Sequence, residues 1–315
     1  YGFGHRLAAA FWTGGYWSAF CLLLLVAAHL FWQRGTDGAL QARLADAKER
    51  LTRPVLAMFA IGALAMLQTG FVIHHNTNEL NTFRTSDERE ALIADYEQTY
   101  SAERWDPVPQ IVEADVDVDI HPRERRVELA GHLLLANREV GPLERVRVAL
   151  PLGVESDRLE LEGATLTETD EVHNVRTFVL DPPLAPDTEV RLDFALRRHE
   201  QGFSANADFP RIAWNGTFVD VTHVMPTFGY DSSRELQDPA TRREYELPPV
   251  QRLPAYDDPI GLTYAGLGAK ERMRFRSTVS TSDDQIAVAP GYLVREWTEN
   301  GRYHASYEMD APIWP

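Results

Sequence analysis

The stretch from Pro54 to Ile73, P-V-L-A-M-F-A-I-G-A-L-A-M-L-Q-T-G-F-V-I, runs for twenty residues without a charge. At about 1.5 Å of rise per residue, a helix of that length reaches across the roughly 30 Å hydrocarbon core of a bilayer. No other feature limits the chain so strongly, because a run this apolar must be covered by protein or by lipid. A second uncharged run, Gly15 to Phe31, precedes it. Trp12, Tyr16 and Trp17 stand at one end of that run, and Phe31 and Trp32 at the other. Amphipathic aromatics at both ends suit the headgroup regions of a membrane. The two runs predict a transmembrane hairpin over residues 1–75, with spans at about 15–32 and 54–73 and a connecting loop over 33–53. A core helix is the competing reading for either run alone; two runs separated by a short charged loop favour the hairpin. A cleaved signal peptide does not suit a weakly basic start followed by a second span.

The loop holds Arg34, Arg43, Lys48, Arg50 and Arg53. The flank after the second span offers only Arg84 and Arg89 nearby, and the flank before the first only Arg6. The positive-inside rule then places the loop in the cytoplasm and residues 76–315 outside it. Leu40, Leu44, Ala47 and Leu51 recur at helical spacing, which predicts a short amphipathic helix at the membrane surface. Pro54 suits the first turn of the second span, where a missing N–H costs nothing. His29 and Gln68 are polar positions inside the spans. One lies a turn from a span end and the other can bond a neighbouring helix, so neither requires a transport pathway.

Charge divides the chain. The total is −16, and the segment through residue 75 carries +3, which leaves −19 for the remainder. So acidic a domain repels nucleic acid at long range, and a nucleic-acid partner is not expected. Cys21, in the first apolar run, is the only cysteine, so neither an internal disulfide nor a cysteine-based zinc site is available. The chain opens on Tyr1 rather than Met and stops at Pro315 in mid-pattern, which predicts a piece of a longer protein.

Residues 76–110 read as linker and helix. Thr85-x-x-Glu88 is a capping box, and Leu92, Tyr96 and Tyr100 share one helical face before Pro107 and Pro109 end the pattern. From Ile111 the period changes to two. Val112, Ala114, Val116, Val118 and Ile120 fall on one face, and Glu113, Asp115, Asp117 and Asp119 on the other. The three aspartates can be read as a calcium site, but the wet face of a half-buried strand accounts for them. The return strand follows the turn H-P-R-E-R. Further strands are predicted at Leu143–Leu150, Arg158–Leu166, Val175–Leu180 and Glu189–His199. The spacing predicts an all-β domain over 111–315, an antiparallel sandwich or saddle. Asn215-Gly216 and Asn300-Gly301 each predict a two-residue hairpin turn, the second setting Glu299 opposite Arg302 and Trp297 opposite His304. Asn215-Gly216-Thr217 is also a glycosylation sequon, which the turn explains without sugar. Proline-rich Pro226 to Lys270 predicts a long ordered surface loop.

A search for chemistry returns no complete set. There is no H-E-x-x-H, no metal-spaced histidine pair and no G-x-S-x-G. Adjacent His74 and His75 are expected to diverge on a helix. Gly266-x-Gly268-x-Lys270 is too short for a phosphate loop. The residues give no catalytic group and no metal ligand.

The residues from Thr278 to Ile313 nevertheless resemble a known pattern. Thr278-Val279, Ala287-Val288-Ala289-Pro290-Gly291 and Met309-Asp310-Ala311-Pro312-Ile313 resemble the end of the N-terminal β domain of zinc aminopeptidases of the membrane alanyl aminopeptidase family. V-D-V-D-I-H-P-R-E-R-R-V-E-L-A-G resembles that domain's first hairpin. With the spans, N-T-N-E-L-N-T-F-R-T-S-D-E-R-E-A-L-I-A-D-Y-E and A-P-G-Y-L-V-R-E-W-T are similar to the bacterial subgroup in which an ABC transporter permease is fused to such an enzyme. The resemblance implies a bacterial inner (plasma) membrane location, a peptide substrate, an ABC transporter ATPase subunit as a partner, and zinc in a catalytic domain after Pro315. This chain would itself hold no cofactor. In the family, a Gln or Glu nine positions before the proline of an F-P-C-F-D-E-P-like motif holds the substrate's amine. The nearest equivalent here is Val224 to Asp231, and counting back from Pro226 lands on Thr217. The alternative is a non-catalytic β domain that binds or senses peptides, and the missing acid leans that way. A purely structural membrane adaptor would have no affinity for peptide.

Overall fold

The computed structural model describes residues 4–32, 40–204, 212–250 and 272–314. These fall into two compact units. One runs through Phe83 and takes in Gln201 and its neighbours; the other holds Arg84 to Glu200 and the described residues from Ile212 onward.

The first unit is helical. Helix α1 spans Leu7–Phe31, α2 Leu40–Arg50 and α3 Arg53–His74. The first helix thus begins at Leu7, eight residues before the start expected for the first span. The segment L-A-A-A-F-W-T contains no breaker, so the helix continues to its natural limit. Pro54 occupies the first turn of α3. The two long helices pack closely where Gly62 meets Leu23, since a Cβ on Gly62 would stand 3.0 Å from that leucine. Both α1 and the stretch Arg53–Glu79 are long and apolar enough to cross a membrane. Only 11% and 6% of their apolar windows are buried, so this unit does not cover them as a globular core would. Arg50 closes the end of α1, its Nη1 donating to the carbonyls of Trp32 at 2.6 Å, Leu30 at 3.3 Å and His29 at 3.4 Å. Those carbonyls have no partner within the helix. Beyond α3, a widened turn over His75–Glu79 lets Asn76 and Thr77 bond back to carbonyls four residues earlier. Asn81 then donates to Asn76 and to Gln201.

The second unit begins with α4, Ser86–Tyr100, opened by the Thr85–Glu88 capping box the sequence predicts. Seven strands follow: β1 Gln110–His121, β2 Arg126–Ala136, β3 Leu143–Ala149, β4 Val154–Leu161, β5 Ala164–Asp170, β6 Val175–Leu184 and β7 Glu189–His199. After them come β8 Ile212–Ala213, β9 Gly216–Thr217, α5 Val221–Val224, β10 Thr227–Phe228, α6 Pro239–Glu244, β11 Arg274–Ser282, β12 Tyr292–Glu299 and β13 Arg302–Glu308. One sheet has the order β12-β13-β11-β1-β2-β7-β4, a second has β10-β3-β6-β5, and β8-β9 is a separate hairpin. Leu133, Leu135, Leu192 and Phe194 from the first sheet and Val146, Val148, Phe178 and Leu180 from the second share one buried cluster.

Three expectations need correction. The domain is not wholly antiparallel: β1 and β11 run parallel, from Glu113↔Arg274 to Asp119↔Ser280. The long connection between β7 and β11 gives the chain room to return in the same direction, which a tight turn cannot do. The single strand expected over Arg158–Leu166 is two strands in different sheets. Gly163, at φ 65, turns the chain between them. Finally, β8 and β9 pair Ala213 with Gly216, so Trp214 and Asn215 form the loop rather than Asn215-Gly216. The other hairpin has the expected register, with Asn300 at φ 51 and Gly301 at φ 73, and Trp297 stacks on His304 at 5.0 Å. Of the proline-rich stretch, the part to Val250 forms β10, a single 3-10 turn and α6. The rest, with Gly266, Gly268 and Lys270, lies outside the described residues.

Helix α4 is fixed by side chains the sequence gives no reason to associate. Glu97 and Arg242 form a buried ion pair at 2.5 Å, and Arg242 also donates to the carbonyls of Leu236 and Pro248. Tyr96 stacks on Tyr230, and Tyr100 donates to Asp170 at 2.6 Å. Burial, then that bond to a carboxylate, pushes the Tyr100 phenol well up.

Candidate functional site

Two places in the second unit merit a chemical test. The first is Thr217, at the end of the β8-β9 hairpin and paired with Ile212. Its Oγ1 is buried without a hydrogen-bond partner. Trp214 and Phe218 beside it are 59% and 62% exposed. A threonine hydroxyl can bond an amine but cannot supply the negative charge that pairs with an ammonium group. The position carries no carboxylate, so Thr217 itself offers at most a neutral contact.

The second place was not apparent from sequence. Asp119 on β1 and Glu128 on β2 face each other across the ladder. With His121 they present three ligand-type atoms within 4.8 Å of one another. Alternation along β1 puts Asp119 and His121 on one face, but the cross-strand partner Glu128 is visible only once the register is known. Two like charges placed opposite are destabilising unless neutralised. Here Arg302 bonds Asp119 and Arg126 bonds Glu128. Ser280 donates to Asp119 at 2.5 Å. Burial pushes the Asp119 carboxyl up, but the Ser280 hydroxyl, His121 and Arg302 outweigh it and hold the group below its ordinary range.

This arrangement does not suit a metal. His121 Nε2 lies 3.2 Å from Asp119, and Nδ1 lies 3.4 Å from Arg302 Nη1. A guanidinium has no lone pair, so Nδ1 accepts and Nε2 carries the proton. A metal-binding histidine needs the reverse: a free nitrogen toward the ion, and its other N–H donating to an acceptor. The cluster is a knot of ion pairs, complete without a cation. Nor do Asp115, Asp117 and Asp119 converge. Alternate residues of a strand stand about 6.8 Å apart, too far for one calcium, and Asp115 is bonded instead to Arg276 at 3.4 Å.

His74 and His75 do not diverge as expected. Both rings address Glu79, at 3.7 and 2.6 Å, because the widened turn after α3 changes the angular step between residues. Another buried ring, His173, bonds Asp95 at 2.9 Å and packs edge-on to Tyr96 and Tyr100. It belongs to the fastening of α4. Among the described residues nothing combines a nucleophile, a base and an oxyanion partner.

No protein-family model matches the chain, and no curated protein matches it. Solved structures do. The M1 zinc metallopeptidase of Deinococcus radiodurans with a Tyr-Ser-Ala substrate is 13% identical, with a TM-score of 0.39, over 66% of this chain and 40% of that one. A two-domain M1 zinc metallopeptidase bound to L-arginine gives 14%, 0.40, 66% and 40%. Legionella pneumophila aminopeptidase A, in complex with aspartic acid, gives 8%, 0.35, 65% and 20%. The chain therefore spans about two fifths of the first two proteins and one fifth of the third.

Proposed function

We propose that this chain is the membrane-anchored, non-catalytic part of a zinc aminopeptidase-like protein fused to a transporter permease. The observation that carries this reading is the placement of the resembling residues. Thr278-Val279 lies on β11, Ala287 to Gly291 leads into the β12-β13 hairpin, and Ile313 returns to bridge Met273 beside β11. The motif pieces thus gather on one side of one sheet. The hairpin of α1 and α3 supplies the anchor. The zinc is assigned to a further domain because, among the described residues, the cluster of Asp119, His121 and Glu128 is closed by arginines. Peptide is the substrate, an ABC transporter ATPase subunit the partner, and a bacterial inner membrane the location. The loop containing α2 faces the cytoplasm and the second unit faces outward.

Purification of the full chain, with elemental analysis and an assay on unblocked peptides, tests the first part: neither stoichiometric zinc nor turnover is expected. Zinc-dependent release of amino acids would overturn it. Topology is tested separately with Cys21→Ser and a single cysteine at Ser101 or Gly38. An impermeant reagent applied to intact cells should label Ser101→Cys alone, and the opposite pattern reverses the assignment.

The second reading is a non-catalytic β domain that captures peptides. It is favoured by a threonine standing where the resembling family has a Gln or Glu. In the complete protein, Thr217→Glu should sharpen preference for free over acetylated amino termini, because a carboxylate pairs directly with the amine. An unchanged preference would remove Thr217 from the amine site.

A further inference from the structure

The loop helix α2 carries an apolar stripe that the protein covers only in part. Leu44 is 53% exposed and Leu51, just past the helix end, 50%, while Ala47 between them is buried. At 3.6 residues per turn, each residue advances by about 100°. Arg43 and Arg50 then flank the stripe on one side and Lys48 on the other, and Asp46 and Glu49 fall on the far side. Basic residues beside the leucines with acids opposite is the arrangement of a helix lying in an interface, where long basic side chains reach outward from an immersed apolar edge. The depth of α2 is also set. Arg50 is bonded to the last carbonyls of α1 and lies 3.7 Å from Asp46, so α2 is held level with the end of an apolar helix.

We propose that α2 docks on an anionic lipid surface, with Leu44 and Leu51 among the acyl chains and Arg43 and Lys48 at the headgroup phosphates. This rests on the membrane reading of α1 and α3 given above. The occupant is lipid rather than protein because the charges flank the leucines on both sides, matching a surface that is apolar below and negative above.

The test uses the full chain with Cys21→Ala and a nitroxide at Leu44→Cys or Glu49→Cys. Each protein is incorporated into vesicles of phosphatidylcholine, alone or mixed with phosphatidylglycerol. Flotation is measured first, then accessibility of the label to oxygen and to a nickel chelate. At position 44 oxygen should dominate, more so with phosphatidylglycerol; at position 49 the chelate should dominate. A basic side chain near an anionic surface favours docking by about fivefold. Arg43→Glu with Lys48→Glu should therefore lower the docked fraction by at least about tenfold in the mixed vesicles, with no effect in phosphatidylcholine alone. Equal chelate access at both positions, or no response to phosphatidylglycerol, overturns the docking while leaving the hairpin intact. Shielding of position 44 from both reagents overturns it in favour of a protein partner. Failure to float with either vesicle overturns the hairpin reading itself.

Discussion

The two units solve the same problem in opposite senses. In the helical unit the apolar side chains point outward: Leu64, Leu67 and Phe71 are 67%, 71% and 67% exposed. In the β unit Leu133, Leu135 and Leu192 are fully buried, and the outer face carries paired charges such as Glu113–Arg274 and Asp115–Arg276. Backbone polarity follows the same division. The long helices close their hydrogen bonds within themselves, as lipid would require. The strands close theirs against other strands, some in adjacent hairpins such as β1-β2 and others far away in sequence such as β1-β11. One unit exposes apolar surface on helices long enough to cross a membrane; the other encloses its own.

The comparison can be broken by mutation, most severely inside the β unit. Arg242→Met leaves Glu97 charged and buried without its partner. This should cost about 3–5 kcal/mol, measured by thermal unfolding of the full chain in detergent. Substituting both, Glu97→Leu with Arg242→Met, should recover most of that loss. Leu133→Ala should cost about 2–5 kcal/mol through the cavity it leaves. The same change at outward-facing Leu64 should move the transition by less than about 0.5 kcal/mol. A Leu64→Ala loss as large as that at Leu133 would mean that α3 is buried in another part of the protein. Thr85→Ala removes the cap of α4 and should cost about 1 kcal/mol, read as faster hydrogen exchange in its first turn.

The smallest effect concerns pH. The Asp119 carboxyl lies below its ordinary range in the fold. Its contribution is therefore present above the unfolded value of about 3.9 and is lost as pH falls through the lower folded value. The group is partly exposed, so solvent screening limits the contribution to about 0.5 kcal/mol. Asp119→Asn should lower stability by that amount at neutral pH and by nothing near pH 2.

What could be read from the sequence was what is periodic or adjacent. Apolar length gave the helices, alternation gave β1, Thr85-x-x-Glu88 gave the start of α4, and Asn300-Gly301 gave a turn. None of these needs a distant partner. The parallel pairing of β1 with β11, the ion pair of Glu97 with Arg242 and the apposition of Asp119 with Glu128 all depend on which strands or helices meet. Local pattern does not encode that. The β8-β9 turn failed for a related reason: Asn-Gly favours a hairpin turn, but two-residue strands fix register too weakly to hold that dipeptide in the loop. At the candidate site, Thr217 was found by counting, whereas the His121 knot required the arginines on β2 and β13 to be in place.

The pairing of β1 with β11 also sets an order in time. Strand β1 leaves the ribosome with β2 soon beside it, but its other edge waits for residue 274. At roughly 5–20 residues per second, the intervening stretch of about 150 residues takes roughly eight to thirty seconds to synthesise. Throughout that interval an alternating, half-apolar edge stands open next to a nascent chain. The newborn protein is most vulnerable to mispairing then, and a holding factor that binds extended apolar segments would have its longest opportunity at β1.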